Sequence, residues 1–353
     1  MKLLVAPLRS VAVGVSAALL FCLSSACDRS KPSEPPPPAP TPTATATASA
    51  KASVFPPAPP RIVAIGDLHG DLDATKRVLR LAGATDAKGA WIGGKLVVVQ
   101  TGDEIDRGDD DRAILDLFES LKADAAKAGG EVVAMLGNHE VMNASFDFRY
   151  VTPGAYTTFA DVKPKNDGVA AALDHLTPPS RGRAAAFAPG GAYATMLAKR
   201  PVIYGSGDTV FVHGGVLPKH VTYGIDRINA DAHAYLLGEK SDPPRLLTSE
   251  DGPLWTRMYS AAPGREECAM LKDALAALGV KRMVMGHTVQ RNGINPACDG
   301  KAWRIDVGMS KIYEGPIQAL QIEGDVVTVL KETSAPAAPS ASGQKTNAGP
   351  PLQ

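Results

Sequence analysis

The stretch Arg61-Ile62-Val63-Ala64-Ile65-Gly66-Asp67-Leu68-His69-Gly70 decides how the chain reads. A β-branched apolar run of strand length stops at Gly66, and the polar Asp67 and His69 follow at once. Beyond them Leu72, Val78, Leu79 and Leu81 suggest an amphipathic helix. The pattern of strand, polar loop and helix returns with Lys95 to Gln100, the loop Gly102-Asp103-Glu104-Ile105-Asp106-Arg107-Gly108, and Ile114, Leu115, Phe118 and Leu121 at helical spacing. A third strand, Glu131 to Leu136, runs into Gly137-Asn138-His139-Glu140. Asp67 to Asp103 is 36 residues and Asp103 to Asn138 is 35, each about one βαβ repeat. A parallel sheet then sets the three loops side by side at its carboxyl edge, where open α/β folds place their sites.

The loops offer carboxylate, amide and imidazole donors with no soft thiolate, a set suited to Mn, Fe or Zn. Two later strands end the same way: Thr209 to Val212 leads into His213-Gly214-Gly215, and Arg282 to Met285 into Gly286-His287-Thr288. Four of the seven histidines, His69, His139, His213 and His287, therefore terminate strands. His175, His220 and His233 lack that context and read as surface or core fillers. Met283 and Met285 alternate along a strand and read as core.

Taken in order, the three loop motifs resemble those of the phosphoprotein phosphatase branch of the calcineurin-like metallophosphoesterases, and the resemblance spans essentially Arg61 to Lys331. It is closest to the bacterial Shewanella-like phosphatases, through Asp109-Asp110-Asp111, Val141-Met142-Asn143, Asp147-Phe148-Arg149-Tyr150 and the ending Trp303 to Ser310. The Ser-Ala-Pro-Asn-Tyr signature of the eukaryotic serine/threonine enzymes is missing, so their inhibitor sensitivity is not carried over. The resemblance implies an α/β, four-layer fold: a mixed β-sandwich flanked by helices, with a βαβαβ metal-binding core. Later strands, including the hairpin Ile317 to Ile322 and Val326 to Leu330 joined through Glu323-Gly324-Asp325, are expected to build the second sheet.

It also implies two divalent metal ions, with Mn favoured over Fe or Zn. Asp67 and His69 would hold the first, Asp103 would bridge both, and Asn138, His213 and His287 would complete the second. Two cations roughly 3.5–4 Å apart repel unless an anion lies between them, which suits a carboxylate on the middle loop. A bridging water would become hydroxide near neutral pH and attack phosphorus in line, without a covalent enzyme intermediate. The resemblance gives the leaving-group proton to His139, oriented by Asp106, and the phosphate grip to Arg107. The stretch Leu254-Trp255-Thr256-Arg257 offers Arg257 as a second phosphate ligand. A guanidinium grips two phosphate oxygens at once, which lysine does not.

The remaining charges have plainer readings. Asp109 to Asp111 complement the positive end of the helix they precede, Glu140 supports its loop, and Arg149 and Tyr150 either line a substrate pocket or pack the scaffold. The expected function is hydrolysis of a phosphoprotein or small phosphate ester, with phosphotyrosine slightly favoured over phosphoserine and phosphothreonine. Two rivals remain: a dinucleoside polyphosphate hydrolase, whose bacterial members usually have Asn where this chain has Asp106, and a catalytically silent surface-anchored binding module.

Composition bounds the rest. The 353 residues are 44% apolar and 21% charged, enough for a sizeable core, and Lys+Arg and Asp+Glu both count 37. A net charge of zero leaves no field of one sign for generic nucleic-acid or membrane-surface binding. Val11 to Leu23 falls short of the roughly 20 residues a membrane span needs. With Lys2, Arg9 and Ser24-Ser25-Ala26-Cys27 it reads as a signal peptide, 1–26. Export follows, either with Cys27 lipidated and membrane-attached in the cell envelope or as a soluble periplasmic or secreted protein. Residues 27–60 read as a Pro/Ala/Thr-rich tether, 61–333 as the catalytic domain and 334–353 as a disordered tail. Cys268 and Cys298 form one disulfide or remain two buried thiols. Cys298 to Arg304 has the Cys-x5-Arg spacing of a phosphate cradle. Asp299, Trp303 and the strand-like run from Trp303 to Val307 exclude it.

Overall fold

Val63, Ala64, Val98, Val99 and Val132 are buried on both faces of their strands. Such uninterrupted apolar runs belong to parallel strands covered on either side, unlike the alternating runs of a half-exposed sheet. The computed structural model describes residues 52–332. Its strands are β1 (Ile62–Ile65), β2 (Val97–Gln100), β3 (Glu131–Ala134), β4 (Ile203–Ser206), β5 (Thr209–Val212), β6 (Arg282–Met285), β7 (Asn295–Ala297), β8 (Ala302–Arg304), β9 (Gln318–Glu323) and β10 (Val326–Lys331). Its helices are α1 (Leu72–Leu81), α2 (Asp111–Lys127), α3 (Asn138–Ala144), α4 (Pro153–Thr157), α5 (Asp167–Leu173), α6 (Pro178–Phe187), α7 (Ala192–Leu197), α8 (Pro218–Tyr223), α9 (Ile225–Leu236), α10 (Arg245–Thr248) and α11 (Arg265–Leu278).

The strands form two five-stranded mixed sheets, ordered β10-β9-β1-β2-β3 and β4-β5-β6-β8-β7. β1, β2 and β3 are parallel, with Ile65 opposite Gln100 and Gln100 opposite Ala134, so the loops leave the sheet at one level. β5 and β6 are parallel as well, which brings the ends at Val212 and Met285 level. Alternation along β5 and β6 divides the layers. Phe211 and Val284 face the core shared with the first sheet and with α1 and α2. Val210, Val212, Met283 and Met285 face the core under α9 and α11. Helix, sheet, sheet and helix make the four layers expected, with Met283 and Met285 fully buried.

The closing hairpin departs from expectation. β9 and β10 pair as read, Val326 against Glu323, but β9 lies antiparallel to β1 and therefore extends the first sheet, not the second. Strand pattern specifies that a segment pairs, not with whom; here Ala319, Leu320 and Ile322 join the core beside β1. Cys268 on α11 and Cys298 beyond β7 form a disulfide with Cα atoms 5.2 Å apart, which also removes Cys298 as a nucleophile. The end of the sequence assigned to the tether is packed: Phe55 joins the second core, and Gly207 N–H donates to the Pro56 carbonyl at 2.7 Å. Residues 1–51, which hold the signal segment and most of the tether, and residues 333–353 lie outside the described residues.

Candidate metal centre and active site

Five site residues that are not glycine hold left-handed backbone: His69 (φ 46°), Asp103 (57°), Asp106 (70°), Arg107 (69°) and His287 (67°). Each such conformation costs about 1–3 kcal/mol and persists only where its surroundings over-determine it. Glu140 supplies much of that constraint for the middle loop. Its carboxylate accepts from the backbone N–H groups of Asp103 at 3.0 Å, Glu104 at 2.9 Å and Gly137 at 2.7 Å, bearing out its reading as loop support. Gly102 (φ 95°) and Gly137 press the second and third loops together: a Cβ on Gly102 would enter the Gly137 backbone, and one on Gly137 would meet Asp103.

The histidine partners decide where lone pairs point. His213 Nδ1 lies 2.9 Å from the Thr101 carbonyl and His287 Nε2 lies 3.0 Å from the Trp255 carbonyl, so each of those nitrogens carries the proton. Their other nitrogens are acceptors, and they face acceptors. His213 Nε2 sits 2.9 Å from Asn138 Oδ1, 3.1 Å from His287 Nδ1 and 3.2 Å from Asp103 Oδ2. His69 Nδ1 faces the Ile105 carbonyl at 3.3 Å, leaving Nε2 at 3.9 Å from both Asp67 Oδ2 and Asp103 Oδ2. Two donor sets converge in this way, and Asp103 Oδ2 belongs to both.

Electron pairs aimed at one another across a buried space fit a cation. Among the described residues no lysine or arginine forms an ion pair with Asp67 or Asp103. Burial first, then Asp306 and Asp103, push the Asp67 carboxyl well above the usual range. Burial also raises Asp103, but the combined pull of His213, His139 and His69 outweighs it and holds that carboxyl well below the usual range. Burial and neighbouring histidines push His69 down to about 3 and His287 down to about 2, so both rings are neutral, the state a metal ligand requires. His69, Asp103 and His139 also form a tight triad. His139 differs from the other two in having its Nδ1 on Asp106 Oδ2 at 2.7 Å and its Nε2 3.3 Å from Arg107 Nη2. Burial and Arg107 work against a charged ring, but Asp103 and Asp106 outweigh them and hold the His139 imidazole above its usual range, the state of a proton donor and not of a metal ligand.

Asp106 is held from behind. Arg183 Nη2 reaches Asp106 Oδ1 at 2.9 Å and Asp111 Oδ2 at 2.8 Å, and Arg183 Nε donates to Asn143 Oδ1 at 2.8 Å. Asn143 Nδ2 donates in turn to both Asp106 oxygens, at 3.0 and 3.1 Å. All four side chains are buried. Asp111 thus does more than complement the start of α2: it is the second carboxylate on a buried arginine, and it accepts from Asp106 N–H at 3.0 Å. Arg183 lies in an alanine-rich segment with no motif around it, and no feature of the sequence singles it out.

A cavity of about 170 Å³ opens over this centre, lined in part by His69, Asp103, Arg107, His139, Arg257 and His287. The Arg107 guanidinium lies 4.6 Å from the Tyr150 ring centroid and 5.4 Å from that of Tyr313, and it donates to Tyr313 Oη. Arg107 Nε is buried without a partner. Arg257 Nη1 donates to the His287 carbonyl at 2.6 Å and to Thr288 Oγ1 at 3.0 Å. Every expected site residue is therefore brought together, with Asp67, Asp106 and His213 beneath the cavity floor. Tyr150 lines the cavity, Arg149 does not, and Tyr313 and Asp306 are additions. Burial pushes the Asp306 carboxyl up to about 6. His220 and His233 are structural and His175 is exposed. A larger cavity of about 670 Å³ between α11, β8 and β10 contains none of these groups.

The sequence profile of calcineurin-like phosphoesterases matches residues 60–291. A protein named Shewanella-like protein phosphatase 2, from Arabidopsis thaliana, is 40% identical over 297 residues, covering 76% of this chain and 76% of its own. Shewanella-like protein phosphatase 1 of Plasmodium berghei is 30% identical over 259 residues, covering 71% of this chain and 67% of its own. Among solved structures, a cold-active protein-tyrosine phosphatase of a psychrophilic Shewanella species shares the fold, with a TM-score of 0.60 at 23% identity over 78% of this chain and 82% of that one.

Proposed function

The chain belongs to the calcineurin-like phosphoesterase family and is a metal-dependent phosphoric ester hydrolase; from that premise we propose a protein phosphatase with a dinuclear centre and a slight preference for phosphotyrosine. The observation that carries the reading is the sharing of Asp103 Oδ2 between two converging donor sets. Asp67, His69 and Asp103 would hold one divalent ion, and Asp103, Asn138, His213 and His287 would hold the other. Bound there, Mn, Fe or Zn, with Mn favoured, would supply Lewis acidity toward phosphate oxygens and a hydroxide nucleophile drawn from water near neutral pH.

The side chains do the rest. Arg107, held beside two tyrosine rings at the cavity wall, grips phosphate oxygens with its guanidinium, and Arg257, which also lines the cavity, adds a second guanidinium. His139 gives its Nε2 proton to the leaving oxygen as the P–O bond breaks. Its Nδ1–H stays on Asp106, which keeps the ring turned toward the substrate. Tyr150, Trp255 and Tyr313 form aromatic walls that suit a phenolic leaving group.

Steady-state hydrolysis by Mn-loaded protein of matched phosphotyrosine, phosphoserine and phosphothreonine peptides, beside diadenosine tetraphosphate, tests the reading. Faster turnover of the phosphotyrosine peptide is expected. Equal turnover of all three removes the tyrosine preference, and preference for diadenosine tetraphosphate overturns the monoesterase reading. The signal-like segment 1–26 and the disulfide support export to an oxidising compartment, with Cys27 as lipid attachment point. Mass spectrometry of the mature amino terminus tests it: an uncleaved Met1 contradicts export, and an unmodified Cys27 contradicts lipid attachment.

A further inference from the structure

A second cavity, of about 230 Å³, lies beside the catalytic one, and Trp255 lines both. Its floor is Val141 and Met142 of α3, both buried, and its far wall is Thr248 at the end of α10. Asp147 and Arg149 form its rim, ion-paired with one another at 2.6 Å. The chain then passes directly from Arg149 in this cavity to Tyr150 in the catalytic one. The segment between α3 and Tyr150 also presents aromatic surface: Phe146 is 46% exposed and Tyr150 41% exposed. Across the mouth, next to Tyr313, Ile312 is 55% exposed. Phe146 holds this position with left-handed backbone (φ 60°), a strained conformation for an aromatic residue and one that concentrates at ligand clamps.

We infer that this second cavity is a specificity subsite that receives a large apolar side chain next to the phosphorylated residue of a peptide substrate. The inference rests on the protein-phosphatase reading. The catalytic cavity, at about 170 Å³, has room for the phosphorylated side chain and little more, so the next residue must lie outside it. A cavity of about 150 Å³ already accepts a benzene ring, so the neighbouring space takes a leucine or phenylalanine side chain whole. Trp255 is a firm partition, because its indole N–H donates to the Leu247 carbonyl at 3.0 Å. The floor is apolar, and the one charged pair on the rim is self-neutralised, so nothing there selects a charged side chain. Removing such an apolar side chain from water at a site contiguous with the chemistry is worth about ten- to a hundredfold in kcat/KM.

The test uses the Mn-loaded protein with p-nitrophenyl phosphate and phosphopeptides matched except for Phe, Leu, Gly or Asp on either side of the phosphoresidue. The wild type and Thr248→Trp, which puts an indole into the subsite from an exposed helix end, are compared at equal folded fraction by thermal unfolding. The expected result is a roughly ten- to hundredfold wild-type preference for Phe or Leu on one side, largely abolished in Thr248→Trp, measured as the peptide to p-nitrophenyl phosphate ratio of kcat/KM. Peptide turnover that ignores the flanking residue, or a preference that survives Thr248→Trp, overturns the subsite and leaves the protein-phosphatase reading standing. Hydrolysis of p-nitrophenyl phosphate with no turnover of any phosphopeptide overturns that reading and the subsite with it.

Discussion

Replacing Arg183 with methionine removes a guanidinium that solvent does not reach and that holds Asp106 at 2.9 Å and Asp111 at 2.8 Å. Methionine keeps an apolar stem in the space but leaves the buried Asp111 with no counter-charge and Asp106 with His139 alone. Breaking a buried pair in this way costs about 3–5 kcal/mol. The loss should fall at the low end, because burial, only partly offset by Arg183, already pushes the Asp111 carboxyl up to about 7. With Arg183 gone, Asp111 takes up a proton instead of remaining an unpaired charge. For a domain of this size, about 3 kcal/mol lowers Tm by roughly 6–12 °C. The second effect is on the chemistry. Without Arg183, Asp106 keeps only Asn143 as a side-chain donor besides His139, and the imidazole loses part of its orientation. A positioned acid is worth about 10² to 10⁴ in rate. Part of that, about 10- to 100-fold in kcat, should be lost on an alkyl phosphate, whose leaving oxygen needs the proton. Much less should be lost on p-nitrophenyl phosphate, whose phenolate leaves unaided. Steady-state kinetics on both substrates, with thermal unfolding and Arg183→Lys alongside, checks both effects. Lysine restores the charge without the fork, so it should recover most of the stability and part of the rate. Equal losses on the two substrates, or an unchanged Tm, would refute the coupling of Arg183 to His139 through Asp106.

Arg107→Lys should lower kcat/KM about 10- to 100-fold, because a lysine cannot hold two phosphate oxygens and cannot keep the planar seat between Tyr150 and Tyr313; near wild-type kinetics would contradict that grip. His220 provides a pH test away from the metal ligands. Its Nδ1 accepts from Leu217 N–H at 3.0 Å and its Nε2–H faces the Asp251 carbonyl at 3.0 Å, and burial pushes its pKa down to about 4. A depressed histidine stabilises the fold fully above its unfolded value of about 6.5 and loses that contribution as pH falls toward 4. The stability advantage of wild type over His220→Gln should therefore shrink by up to about 2 kcal/mol between pH 7 and pH 5 in urea unfolding, and a constant difference would contradict it. Cys268→Ser opens a disulfide with a sequence separation of 30 and should cost about 3–4 kcal/mol; an unchanged urea midpoint would show that the crosslink contributes nothing.

The metal loops were legible in the sequence because their chemistry is local. An apolar strand followed by glycine and a carboxylate can be seen without knowing what packs behind it, and five strand ends carry the whole donor set. Glu140 was legible for the same reason, since it sits three residues after the glycine it ties down. What escaped depends on contacts between distant segments. Arg183 is 77 residues from Asp106 and has no periodicity or neighbour to mark it. Asp111 looks like any acid at a helix start until that arginine is placed against it. The hairpin of β9 and β10 carries a clear pairing signal but no statement of which sheet it joins, and β1 accepted it. The left-handed backbone at His69, Asp103, Asp106, Arg107 and His287 has no sequence signature, because strain at non-glycine residues is imposed by their surroundings.

Elemental analysis of purified wild type and Asp103→Asn, after dialysis against metal-free buffer and reloading with Mn²⁺, bears most directly on the shared Asp103 oxygen. The account predicts about two ions per chain in wild type, with at least one lost in Asp103→Asn while the variant stays folded. Wild type that binds a single ion, or Asp103→Asn that retains both, would contradict it.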